Sequence, residues 1–121
     1  MAQKILVVDD NLSDLETMKQ ILRKAGYKVT AASDGAQALD SLKASKFDLI
    51  LIDILMPTFS GYDLVRVLRS QLDGKVRVVF VSIVPKKEVD MADIDGFIQK
   101  PFDVKYFVAE VKKALRKELE V

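Results

Sequence analysis

Five short apolar runs, separated by stretches with helical spacing, constrain this chain more than anything else in it. Lys4–Val8 (KILVV), Lys28–Ala32 (KVTAA), Asp48–Ile52 (DLILI), Arg77–Val81 (RVVFV) and Gly96–Gln99 (GFIQ) each have the length of a strand. The first, third and fourth are continuous rather than alternating, the pattern of strands covered on both faces of a parallel sheet. Ser13–Ala25 opens with Ser13-Asp-Leu-Glu16, which reads as a capping box, sets Leu15, Met18 and Leu22 on one side, and stops at Gly26. Asp34–Ala44 starts from an Asp34 cap and carries Ala38, Leu39 and Leu42. Ser60–Gln71 has a second capping-box pattern, Ser60 with Asp63, and holds Leu64, Val65 and Leu68. Val104–Leu119 carries Phe107, Val108, Val111 and Leu115. Strand and helix alternate five times, so the expected fold class is α/β: a doubly wound five-stranded parallel sheet, (β/α)5. One unit departs. Between the fourth and fifth strands, SIVPKKEVDMADID is interrupted by Pro85 and offers only Val89, Ala92 and Ile94 as apolar positions, so a short or irregular fourth helix is expected there.

Composition narrows the chemistry by exclusion. A chain of 121 residues with no linker, repeat or low-complexity stretch reads as a single domain over 1–121, and 50% hydrophobic residues suffice for a core. The formal net charge of +1 shows no general bias toward nucleic acid or membrane surfaces. Without cysteine there are no disulfides and no thiol chemistry. Without histidine this chain supplies no imidazole ligand, base or phosphohistidine. MAQKILVVDD lacks the long apolar stretch of a signal peptide, and no run reaches transmembrane length. A cytoplasmic protein with no direct nucleic acid or membrane binding is the expectation.

The polar residues that follow the strands give the site. In open α/β sheets ligands sit outside the carboxyl ends of the strands. Asp9 and Asp10 follow the first strand, Asp53 the third, Ser82 the fourth, and Lys100, then Pro101, the fifth. Taken singly, each is also what a helix cap or a turn leaves behind, as Ser33 and Asp34 after the second strand illustrate. Together, three carboxylates, a hydroxyl and an ammonium on one edge fit magnesium-dependent phosphoryl transfer to a carboxylate. Magnesium takes oxygen ligands, commonly one or two carboxylates plus phosphate oxygens. Asp53 would be the nucleophile, Asp9 and Asp10 would hold the metal, and Lys100 and Ser82 would bind oxygens of the transferred group.

With those residues in place, the chain resembles a receiver domain of two-component response regulators along essentially its whole length. The resemblance is carried by VVDD at 7–10, LIDILMP at 51–57 with Gly61 after it, FVS at 80–82 and QKPF at 99–102. It implies a flavodoxin-like fold with strand order 2-1-3-4-5. It implies Asp53 as phosphoacceptor, with magnesium, or manganese in its place, held by Asp10 directly, Asp9 through water, Asp53 and the backbone carbonyl of Leu55. Ser82 matches the family's switch hydroxyl, Lys100 its lysine and Phe97 its switch aromatic. No further cofactor is implied. The phosphodonor would be a phosphohistidine on a sensor histidine kinase or a His-containing phosphotransfer protein. Such a protein is no enzyme in the ordinary sense, catalysing only its own phosphorylation and slow dephosphorylation. Phosphorylation would draw Ser82 toward the phosphoryl group, let Phe97 turn inward, and reshape a protein-interaction face for a downstream partner, the protein being a monomer or a weak phosphorylation-dependent homodimer.

The chain departs from the family pattern in three places. Ile83 follows Ser82 where a small residue is usual. The interval from Ser82 to Lys100 is about one helical turn short. Leu55 and Val84, two residues beyond Asp53 and Ser82, are apolar where the attacking water would pass. These three residues, Leu55, Ile83 and Val84, are expected to modulate access and slow dephosphorylation. Three other readings stand beside this one. A degenerate receiver would dock without phosphorylation. A haloacid-dehalogenase-type phosphatase would need a second Asp where Leu55 stands. A flavin-binding flavodoxin-like protein would need a phosphate cradle where DDNLSD stands. No output domain is expected after VKKALRKELEV, so the chain is read as a stand-alone receiver, a relay intermediate or part of a longer protein.

Overall fold

The computed structural model describes residues 2–72 and 74–116. Strands β1 (Lys4–Val8), β2 (Lys28–Ala32), β3 (Leu49–Ile52), β4 (Arg77–Ser82) and β5 (Gly96–Gln99) form one parallel sheet in the order β2-β1-β3-β4-β5, as expected. Helices α1 (Leu12–Lys24), α2 (Gly35–Ala44), α3 (Gly61–Gln71) and α4 (Val104–Arg116) cover it. Alternation along each strand sorts the core into two layers. Leu6, Val8, Ile50, Ile52, Val78 and Phe80 face α2 and α3, while Ile5, Val7, Leu49, Leu51, Val79 and Val81 face α1 and α4. All four residues of β3 are fully buried, worth roughly 2 kcal/mol each in area removed from water. That anchorage lets the strand end in a carboxylate without losing its place in the sheet.

The helices form largely for the reasons their sequences suggest. Asp34 caps α2, its side chain accepting from the Gln37 N–H, and Ser60 with Asp63 closes a reciprocal capping box on α3. The start of α1 is a correction. Asn11, not Ser13, is its cap, accepting from the Asp14 N–H, so the Ser13–Glu16 box does not form and the helix begins at Leu12. Of the two overlapping cap signals, the earlier one is used. Asp48 falls just outside β3, where its backbone N–H bonds to Lys4 and its carboxylate accepts from the Lys4 N–H. Ser82 is the last residue of β4 rather than the first beyond it. The part of the last helix expected over 117–119 lies outside the described residues. The irregular fourth helix is a single 3-10 turn, Lys86–Glu88, with no buried residue. No helix among the described residues is long and apolar enough to cross a membrane.

Candidate functional site

Register puts the site together. Val8 of β1 pairs with both Ala32 and Ile52, so the residues that follow β1 and β3 emerge side by side. The ladder continues one residue past the strands: the Asp9 N–H bonds to Ala32 O at 3.1 Å and the Asp53 N–H to Val8 O at 2.9 Å. Both acids therefore leave from a fixed backbone. Across β4, the Lys100 N–H bonds to Ser82 O at 2.9 Å, which sets the β5 end in the same frame.

On that edge, Asp9, Asp10 and Asp53 each offer a carboxylate oxygen within 4.8 Å of the others. Asp9 and Asp53 are buried and Asp10 is exposed. Lys100 reaches into the cluster with its ammonium 2.7 Å from Asp9 Oδ2, 2.8 Å from Asp14 Oδ2 and 3.6 Å from Asp53 Oδ2. Burial pushes the Asp9 carboxyl up to about 6, against the pull of its bonds from Lys100 and Asn11 and with the Asp53 charge adding to the rise. Burial also works against the Lys100 charge, but the bonds to Asp14 and Asp9 prevail and hold it above the usual lysine value. One ammonium shared among three carboxylates leaves the cluster short of positive charge. An all-oxygen donor set of this kind suits a small hard cation, and the residues present fit magnesium.

Gly61 is part of the geometry. A Cβ there would sit 2.5 Å from the Asp53 carbonyl oxygen and 2.9 Å from Ile54 Cα, so α3 starts in direct backbone contact with the acid's own peptide. The Gly61 N–H bonds to Ile54 O at 2.9 Å. Only a residue without a side chain allows that approach.

The remaining expected residues fall as follows. Ser82 is fully buried at the β4 end, and its hydroxyl accepts from the Val84 N–H at 3.4 Å. Leu55 and Ile83 are exposed at 53% and 65%, large aliphatics held in water beside the acid cluster. Val84 does not stand with them: it packs against the α2–α3 layer of the core. Phe97 is already buried in that same layer, so the inward turn expected of it has little exposed surface to remove. Gln99 ties the β4 exit down, its side-chain amide donating to the carbonyls of Ser82, Val84 and Lys100. Asp14 was not among the expected residues. An acid in the first turn of a helix is an ordinary complement to the helix dipole, and nothing local reveals a partner 86 residues away.

Comparison with known proteins gives a consistent picture. The model of the response regulator receiver domain matches residues 5–112. The DNA-binding response regulator MtrA of Mycobacterium tuberculosis strain H37Rv is 36% identical over 125 residues, covering 97% of this chain and 52% of MtrA. The chain thus spans about half the length of the curated relatives it matches. Among solved structures, chemotaxis protein CheY4 of Vibrio cholerae superimposes with a TM-score of 0.88 at 28% identity, covering 94% of this chain and 99% of CheY4. Response regulator TrrA of Thermotoga maritima, in complex with Mg(2+)-BeF, gives a TM-score of 0.84 at 26% identity, covering 93% and 98%.

Proposed function

Since the chain belongs to the response regulator receiver domain family, we propose that it accepts a phosphoryl group on Asp53 from a phosphohistidine of a partner kinase or phosphotransfer protein. The observation that carries this reading is the cluster itself: three carboxylates within 4.8 Å of one another at the carboxyl edge of the sheet, with Lys100 among them. Asp53 attacks the phosphorus through a carboxylate oxygen and the imidazole nitrogen departs. Asp9, Asp10, Asp53 and the Leu55 carbonyl would hold magnesium, which supplies charge neutralisation for the incoming phosphoryl oxygens. Lys100 and the Ser82 hydroxyl each donate to oxygens of the transferred group. The TrrA structure, obtained in complex with Mg(2+)-BeF, supports magnesium as the metal of this reading.

The chain's own catalysis is limited to acceptance and slow loss of the phosphoryl group. Leu55 and Ile83, exposed at the mouth, hinder water from reaching the acyl phosphate, so the phosphorylated form is long-lived. Val84, turned toward the core, contributes through Ser82 rather than by shielding. With Phe97 already inside, the switch works by repacking around Ser82 and Phe97, and its effect is read by a downstream protein. DNA binding is named for the whole MtrA chain and is not carried to these residues. Monomer or weak phosphorylation-dependent dimer, one domain over 1–121 and a cytoplasmic location go with this reading.

Acetyl phosphate with magnesium, followed by intact mass, tests it. A gain of about 80 Da that disappears in Asp53→Asn is expected. No gain under any donor would return the chain to the docking-module reading. A half-life of seconds for the phosphorylated form at room temperature, with magnesium present, would count against slow loss.

A further inference from the structure

We infer that Asp14 is a positioning residue for Lys100, holding its ammonium toward α1 and giving it up when Lys100 closes on a phosphoryl group at Asp53. The inference rests on the phosphoacceptor reading above. An ammonium has three N–H donors. Two are committed, to Asp9 at 2.7 Å and to Asp14 at 2.8 Å, while Asp53 at 3.6 Å is an ion pair beyond hydrogen-bond length. In this arrangement the lysine sits closer to β1 and α1 than to the acid that would be phosphorylated.

The three partners are not equally easy to release. The Lys100 side chain is 9% exposed and that of Asp9 is fully buried, so parting those two strands a carboxylate without water. The Asp14 side chain is 42% exposed, and water can take the place of the ammonium there at little cost. One donor is uncommitted, but the ammonium stands 3.6 Å from Asp53, so closing on new oxygens there moves it away from α1, and the bond to Asp14 is the one that yields. Asp14 therefore competes with the phosphoryl group for Lys100, and sets how far the resting lysine is committed elsewhere. A first-turn acid that served only the helix dipole would have no such effect, and a carboxylate acting through its charge alone would lose its effect at high salt, where direct competition for the ammonium persists.

The test is binding of beryllofluoride, a phosphoryl mimic, to the intact chain at saturating magnesium, followed by calorimetry or by amide NMR shifts. Asp14→Asn should bind it about fivefold more tightly than wild type, the size of a partly exposed ion pair removed from the resting state. Asp14→Glu, which keeps the carboxylate, should return toward wild type. Glu16→Gln, on the same helix with its carboxylate paired to Lys19 instead, should leave the affinity unchanged. Magnesium affinity, measured alone, should change less than beryllofluoride affinity. Equal binding by wild type and Asp14→Asn overturns the inference, and so does a Glu16→Gln gain as large as that of Asp14→Asn. Failure of the wild type to bind at all overturns the phosphoacceptor reading and this inference together.

Discussion

Two connections leave the sheet at the same edge and are held in opposite ways. The one from β3 to α3 is tied by its own residues. Asp53 bonds back to β1, Gly61 to Ile54, Phe59 to Pro57, and Ser60 with Asp63 closes the helix start. The one from β4 to β5 has one 3-10 turn and is held from outside. Arg69 of α3 donates to the Asp93 carbonyl through two of its nitrogens, at 2.9 and 2.7 Å, and the Tyr62 hydroxyl of α3 accepts from the Asp90 N–H. Arg69 also lies 3.5 Å from Asp95, whose carboxylate accepts from the Val78 N–H. The Asp53 end is thus fixed locally, whereas the far part of the β4–β5 connection, at 90, 93 and 95, is also held by α3. The two connections are separable, because different contacts hold them.

Gly61→Ala should break the contrast most severely. The new methyl collides with backbone rather than with a yielding side chain, so a loss of roughly 3 kcal/mol is expected in denaturant unfolding. Phosphorylation at Asp53 should fall with it, since the acid's own peptide is displaced.

Acid sharpens the contrast next, through Asp9 on the tied side. Its folded value of about 6 lies above the ordinary 3.8, so the folded protein holds this proton more tightly than the unfolded chain does. The group's contribution to stability is present below 3.8 and is lost as pH rises through 6. Metal-free protein should therefore gain on the order of 2 kcal/mol between pH 7.5 and pH 4.5 from this group. Magnesium, which requires the carboxylate, should stabilise at pH 7.5 and lose that effect below about 6. Thermal unfolding with and without magnesium across that range checks both signs.

Arg69→Ala should act on the other connection. About 1.5 kcal/mol is expected for the lost bonds to carbonyls. Hydrogen exchange should speed up over 83–95 while 53–60 keeps its protection. Equal loss in both segments would mean that the two are not held separately. The smallest effect on stability belongs to Ile83→Ala, within about 0.5 kcal/mol because the side chain is already in water. Its consequence should be a severalfold shorter phosphoryl lifetime, measured by decay of the phosphorylated mass.

The same contrast explains what could be read before the structure. The Asp34 cap and the Ser60–Asp63 box follow from local pattern, because local bonds create them. The sheet order comes with the family resemblance, and Asp9, Asp53, Ser82 and Lys100 are legible because strand ends of a parallel sheet share one edge. The start of α1 is not legible in the same way, because Asn11 and Ser13 offer overlapping caps two residues apart. Nothing near Arg69 in the sequence signals its role, since its carbonyl partners at 74, 76 and 93 come from a loop and a connection whose positions no local rule gives. Asp14 was missed for the same reason, its partner being a lysine on the opposite side of the sheet's fold order.

The crowding of acids at one edge also bears on how fast anything arrives there. Asp9, Asp14 and Asp53 surround one lysine and Asp10 lies beside Asp9 and Asp53, so an anionic phosphodonor would diffuse toward a field of its own sign. Over a screening length of roughly 8 Å at physiological salt that repulsion fades, and encounters with small anionic donors should quicken as ionic strength rises. A protein donor that brings a basic surface would feel the reverse, gathered in by the same field at low salt. Ionic strength thus becomes a filter that distinguishes a protein donor from a small metabolite.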